Sequence, residues 1–121
     1  MSSKRILFLD DRPDFMHQPV LRLRLEGYEV DEVLDGETAL KSLRAKPYDL
    51  LILDAELPRT DGWEVLKTLR ADPSIAGTKV IVLMAAKGET GKLVLVPVDA
   101  ELRRPFNLAQ LVAAVRKVLG D

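Results

Sequence analysis

The sequence predicts an α/β domain built on a parallel β-sheet, and three observations carry that prediction. Three short apolar runs, Ile6-Leu7-Phe8-Leu9, Leu50-Leu51-Ile52-Leu53 and Val80-Ile81-Val82-Leu83-Met84, are almost uninterrupted and bounded by turn residues. Runs of this kind suit parallel strands, which are covered on both faces. The stretches between them repeat apolar residues at helical spacing, so strand and helix alternate along the chain. The crossovers of such a sheet are expected to be right-handed.

The elements follow in order. Ile6 to Leu9 leads directly into Asp10-Asp11. A helix is predicted from Phe15 to Glu26, closed by Gly27 as its C-terminal cap. Pro19 lies inside it and either removes one backbone hydrogen bond or delays the helix start. Tyr28 to Val33 alternates apolar with acidic residues, the mark of a half-exposed edge strand. From Gly36 to Ala45, Ala39, Leu40 and Leu43 share one helical face. The second apolar run ends on Asp54. From Gly62 to Arg70, Val65, Leu66 and Leu69 share another face, with Asp61 as N-cap and Glu64 as its capping-box partner. After the third run, Ala85 to Glu101 holds two glycines, a proline and Leu93-Val94-Leu95-Val96, whose branched residues favour extended backbone. That segment reads either as a short, distorted helix or as a loop carrying an extra strand. The final helix is plainly written. Asn107 is its N-cap, Gln110 sits at N3, Phe106 staples onto Leu111, and Leu108, Leu111, Val112, Val115 and Leu119 form one stripe.

Composition narrows the function classes. The 121 residues suit one domain, 1–121, and 47% hydrophobic with 31% charged residues is ordinary for a globular protein. A net charge of −1, from 18 basic and 19 acidic residues, gives no footprint for direct nucleic-acid or membrane binding. The absence of cysteine excludes disulfides and thiolate chemistry. The apolar run after Lys4-Arg5 is too short for a signal peptide, and no segment approaches the ~20 apolar residues of a membrane span. A cytoplasmic location is expected.

The chemistry of such a sheet sits outside the carboxyl ends of its strands. Those ends carry Asp10, Asp11 and Asp54. With the first and third strands as neighbours, three carboxylates converge and raise each other's proton affinity unless a cation lies among them. Oxygen ligands without His or Cys suit a hard ion such as Mg²⁺. A carboxylate beside that ion is a candidate nucleophile toward a phosphoryl group. A lone strand-end aspartate more often caps a turn, but aspartates at two strand ends of one sheet reverse that preference. The remaining candidates have plainer readings. His17 is a surface or cap residue, Trp63 covers core, Arg22 and Arg24 form a solvated face, and Arg103 faces water. No Gly-rich phosphate loop follows the first strand.

LFLDDRPDF (residues 7–15), LDAELPRTDGWEVLKTLR (53–70) and RRPF (103–106) together resemble a response-regulator receiver domain of two-component signalling, over essentially the whole chain. The resemblance implies a flavodoxin-like (βα)5 fold, with a five-stranded parallel sheet of order 2-1-3-4-5 and helices on both faces. It implies that Asp54 accepts a phosphoryl group from a phosphohistidine on a histidine kinase or histidine phosphotransfer protein. Asp10, Asp11 and Asp54, with the backbone carbonyl of Glu56, would hold Mg²⁺. Arg104 and Ala85 would contact the phosphoryl group. Pro58 and Gly62 would shape the loop into the third helix, and the bond before Pro105 would be cis. A domain of this kind is a signalling module rather than a turnover enzyme. A phosphatase using the same covalent chemistry would want a second aspartate two residues after the nucleophile, and Asp54-Ala55-Glu56 lacks it.

Three positions depart from the family pattern. Met84 stands where the family has Thr or Ser, and a thioether donates no hydrogen bond. Arg104 replaces a lysine, exchanging a compact ammonium for a planar fork. Glu101 stands where an aromatic residue is usual. In the family, the face made by helix 4, strand 5 and helix 5 transmits the signal and offers a homodimer contact. The altered half therefore keeps a second reading open: a pseudo-receiver acting as a phosphorylation-independent protein-interaction module.

Overall fold

Strands β1 (Arg5–Leu9), β2 (Glu29–Val33), β3 (Leu50–Asp54), β4 (Lys79–Met84) and β5 (Ala100–Arg103) form one sheet in the computed structural model, which describes residues 4–10, 13–54, 62–84 and 96–121. The strand order is β2-β1-β3-β4-β5 and every pairing is parallel, as the resemblance implies. Four helices, α1 (Pro13–Leu25), α2 (Gly36–Ala45), α3 (Gly62–Ala71) and α4 (Leu108–Leu119), lie among the described residues. Residues 85–95, where a fourth crossover helix is expected, fall outside them. The fifth strand forms at Ala100–Arg103, downstream of the branched run at 93–96.

The period of two in a strand divides the core into two layers. Leu7, Leu9, Leu51, Leu53, Val80 and Val82 face α2 and α3 and pack with Ala39, Leu43, Val65, Leu66 and Leu69. Ile6, Phe8, Leu50, Ile52, Ile81 and Leu83 face α1 and α4 and pack with Val20, Leu23, Leu111 and Val115. β1 and β3 are apolar on both faces because both are covered. β2, at the edge, buries only Val30 and Val33 and leaves Glu29, Asp31 and Glu32 accessible, so it is half-exposed as expected though without strict alternation.

Local chemistry sets the helix ends. α1 closes on Gly27, whose φ of 99° is left-handed, with Gly27 N–H donating to the Arg24 carbonyl and Tyr28 N–H to the Leu23 carbonyl. That pairing is a Schellman motif. α1 starts at Pro13, two residues before the predicted Phe15, and runs through Pro19. The proline forfeits one backbone hydrogen bond, but Val20 and Leu23 beside it are buried in the core, which outweighs the loss. At α4 the capping box is complete. Gln110 N–H donates to Asn107 Oδ1 and Asn107 N–H to Gln110 Oε1, both at 2.8 Å. Asp61, the predicted cap of α3, falls outside the described residues.

Arg44 of α2 donates through Nε to Asp72 Oδ2 at 2.8 Å, joining the ends of two adjacent helices. The Arg44 guanidinium, then the Ser74 hydroxyl and Ser74 N–H, stabilise the ionised carboxylate and push the Asp72 pKa down to about 2. A depressed carboxylate contributes stability above its unfolded pKa and loses it as pH falls through the folded one. The Asp72 contribution therefore disappears between roughly pH 4 and pH 2. A carboxyl NMR titration should place Asp72 near the lower limit, and Asp72→Asn should flatten the acid slope of stability in that window. An Asp72 titrating near 4 would contradict the pairing.

Candidate functional site

The chain runs from β1 outward to β2, then returns to the other side of β1 as β3. α1 packs on one face of the sheet and α3 on the other. The helices that follow β1 and β3 therefore diverge, and a crevice opens at the carboxyl ends of these two strands. Leu9 pairs with Leu53, so Asp10 and Asp54 are the next residues outward along the two strands. Both are buried, with 2% and 0% exposure. The Asp10 N–H donates to the Val33 carbonyl at 3.2 Å, carrying the β1–β2 ladder one residue past the strand and fixing where Asp10 starts.

Arg104 arrives from the opposite side of β3. Met84 pairs with Arg103 at the end of β4 and β5, and Arg104 N–H donates to the Met84 carbonyl at 2.8 Å. The peptide bond that follows, Arg104-Pro105, is cis, as the resemblance implies. Arg104 Nη2 donates to Asp54 Oδ2 at 2.9 Å. The guanidinium carbon lies 5.9 Å from the centroid of the Phe106 ring, within cation–π range. Among the described residues, Arg104 Nη1 is buried with no hydrogen-bond partner. An ionised group holds its charge in the interior only where partners compensate desolvation. Arg104 is one such partner for Asp54. A cleft of about 770 Å³ opens beside it, lined by Phe8, Asp10, Pro19, Leu83, Arg104 and Pro105 among others.

Asp10 and Asp54 offer charged oxygen atoms at adjacent strand ends, the donor type a hard divalent cation prefers. Among the described residues no group of three or more metal-ligating side chains assembles. Asp11 and Glu56, the other expected ligands, lie outside the described residues, as do Ala85 and Pro58. Gly62 is buried at the start of α3, beside a buried Trp63 that joins the core as its sequence position suggests. Met84 is 1% exposed, its thioether packed into the layer under α2 and α3. Glu101 is exposed and lies 3.8 Å from Arg103, an ion pair of little energetic weight at a surface. Arg103 is thus half-buried beside a carboxylate rather than simply facing water. Arg24 lies on an exposed face as expected, and from there its Nη2 donates to the Val30 carbonyl at 2.8 Å, tying α1 to β2.

The resemblance sets Arg104 near Asp54 by way of the phosphoryl group, but the direct hydrogen bond between the two side chains is not legible in the sequence. The two residues are 50 positions apart, and nothing local in either segment signals the other. The Arg-Pro-Phe run is the one cue, because it places a cation and an aromatic ring immediately after a strand.

Comparison with known proteins agrees with this geometry. The "DNA-binding response regulator MtrA" of Mycolicibacterium smegmatis is 36% identical over 116 residues, covering 93% of this chain and 49% of that protein. The chain spans about half the length of the curated relatives it matches. A crystal structure of a response regulator from Chloroflexus aurantiacus superposes with a TM-score of 0.91 at 28% identity, covering 99% of this chain and 100% of that one. The receiver domain of sensor histidine kinase PA1611 from Pseudomonas aeruginosa superposes with a TM-score of 0.88 at 27% identity, covering 99% and 100%, and is described with a magnesium ion coordinated in its active site cleft. The family model for the response regulator receiver domain matches residues 6–116, which take in all of the sheet but Arg5 and both halves of the site, and the chain belongs to that family.

Proposed function

We propose that this receiver domain accepts a phosphoryl group on Asp54 from a phosphohistidine of a histidine kinase or histidine phosphotransfer protein. The observation that carries this reading is the placement of Asp54. It is a fully buried carboxylate on the last residue of the central strand, held at 2.9 Å by a guanidinium and set beside a second buried carboxylate. One Asp54 carboxylate oxygen attacks phosphorus, the P–N bond of the phosphohistidine breaks, and its electron pair returns to the imidazole nitrogen. The product is an acyl phosphate. Arg104 orients the carboxylate and offsets charge on the incoming group. Asp10 and Asp54, with Asp11 and the Glu56 carbonyl, would hold Mg²⁺, which when bound neutralises charge on the phosphoryl oxygens. A net charge of −1 gives this domain no overall basic footprint for nucleic acid. Among the described residues no helix is long and apolar enough to cross a membrane.

Incubation with Mg²⁺ and acetyl phosphate should add the mass of one phosphoryl group to the protein. Asp54→Asn should abolish the adduct. Absence of an adduct from acetyl phosphate and from a phosphorylated histidine phosphotransfer domain would reject the reading.

A second reading, the pseudo-receiver, is favoured by one pair of positions. Met84 is buried without a hydroxyl to offer, and Glu101 engages Arg103 at the surface. Backbone amide spectra with Mg²⁺ and beryllofluoride separate the two readings. Shifts that spread from the site to α4 favour the phosphorylated switch, whereas unchanged spectra favour the interaction module.

A further inference from the structure

We propose that Arg104 grips the phosphoryl group on Asp54 with both of its terminal amino groups, so that one side chain supplies the positive charge and the second hydrogen-bond donor. The proposal rests on Asp54 being the phosphoryl acceptor. A phosphoryl group presents three oxygens besides the one shared with Asp54, and each needs a cation or donor when it enters a buried site. On the β4 side, the residue at the strand end is Met84, buried, with no proton to give. On the β5 side stands a guanidinium of which half is engaged. Nη2 binds Asp54 Oδ2 at 2.9 Å, while Nη1 is buried and unpartnered among the described residues. A buried guanidinium nitrogen without an acceptor costs free energy unless something completes it. The planar fork fixes the two nitrogens side by side, the spacing that matches two oxygens of one phosphoryl group. The Phe106 ring, 5.9 Å from the guanidinium carbon, and the hydrogen bond from Arg104 N–H to the Met84 carbonyl hold the fork in place. When Asp54 carries a phosphoryl group, Nη2 passes from Asp54 Oδ2 to one phosphoryl oxygen and Nη1 takes a second, so both nitrogens change partner. Arginine at this position and methionine at 84 form a functional pair: the fork makes a donor at the end of β4 unnecessary.

The test is a double-mutant cycle on the whole chain, reading beryllofluoride affinity in Mg²⁺ by Trp63 fluorescence and the lifetime of the acyl phosphate after acetyl phosphate is removed. Arg104→Lys keeps the charge but offers no second fixed donor, and should weaken beryllofluoride binding roughly ten- to a hundredfold. Met84→Thr alone should change it by less than about threefold, because the second oxygen is already held. Met84→Thr in the Arg104→Lys background should recover about tenfold. Equal effects of Met84→Thr in both backgrounds, or Arg104→Lys binding like the parent, would overturn the proposal. A measurement on the parent covers the case in which Arg104→Lys misfolds. Both Arg104 Nη signals in side-chain ¹⁵N spectra should move on beryllofluoride addition, and movement of one alone would overturn the proposal. Failure of the underlying reading looks different: the parent itself then takes up neither a phosphoryl group nor beryllofluoride, and the proposal falls with it.

Discussion

Phe8→Ala is expected to lower the stability of the domain by about 3–5 kcal/mol, a large part of what a domain of this size possesses. Phe8 is 1% exposed in β1 and points into the layer under α1 and α4, among Ile52, Leu83, Val20 and Leu111. β1 is paired on both sides, to β2 and β3, so its backbone cannot shift to collapse the void. The cost therefore contains both the lost transfer free energy and the cavity term. Urea denaturation followed by circular dichroism measures it, and Leu25→Ala is the matched control. Leu25 is 83% exposed on α1, and its truncation should fall within about 0.5 kcal/mol of the parent. A loss below about 1.5 kcal/mol for Phe8→Ala would mean that the layer repacks and that the two-sided burial of β1 is looser than described. Phe8 also lines the cleft beside Asp10 and Arg104, so beryllofluoride affinity should fall with it.

Arg70→Ala should cost about 2–4 kcal/mol, from a residue at the end of α3 with no role in the site itself. Its Nη1 donates to the carbonyls of Ala76 at 2.9 Å and Thr78 at 2.7 Å. Nε donates to the Pro97 carbonyl at 3.1 Å, and Nη2 lies 3.4 Å from Asp99 Oδ2. One guanidinium thus ties the turn entering β4 to the segment entering β5. Asp99 continues the bridge, because its Oδ2 accepts from Val80 N–H at 2.7 Å. Removing Arg70 leaves three carbonyls to find water and frees the start of β5, the strand that delivers Arg104. Arg70→Lys should recover little, since an ammonium has no fixed fork with which to reach three carbonyls. Thermal unfolding of both variants measures the effect, and hydrogen exchange at Ala100–Arg103 locates it. Full stability of Arg70→Lys would show that charge alone suffices there.

The legibility of this molecule in its sequence varies with the range of the interactions. α2 at Gly36–Ala45 follows its predicted bounds, and the capping box of Asn107 and Gln110 forms as the residues announce. Those features depend on contacts within four or five residues. The start of α1 does not follow, because Pro19 argues locally for a late helix while burial of Val20 and Leu23 argues from a distance for a continuous one. β5 is a harder case. Ala100–Arg103 is short, half-exposed and charged, so neither alternation nor apolar length marks it. It is a strand because Asp99 and Arg70 align it with β4. At the site, the strand-end aspartates were readable as candidates since a carboxylate after an apolar run is conspicuous. The grip of Arg104 on Asp54 was not, and neither was the unpartnered Nη1.

The residue pattern alone fixes the α/β class, the alternation of elements, and the family through three motifs that together span the chain. It also places Asp10 and Asp54 at strand ends, because period and burial are properties of neighbouring residues. The fold in three dimensions settles which strand ends meet, that Asp54 is wholly buried, and that its partner is a guanidinium from the far end of the chain. Those facts turn on strand order and on a hydrogen bond between residues 50 positions apart. A pairing across that distance is decided by packing of the two layers around the sheet, and no local preference encodes it.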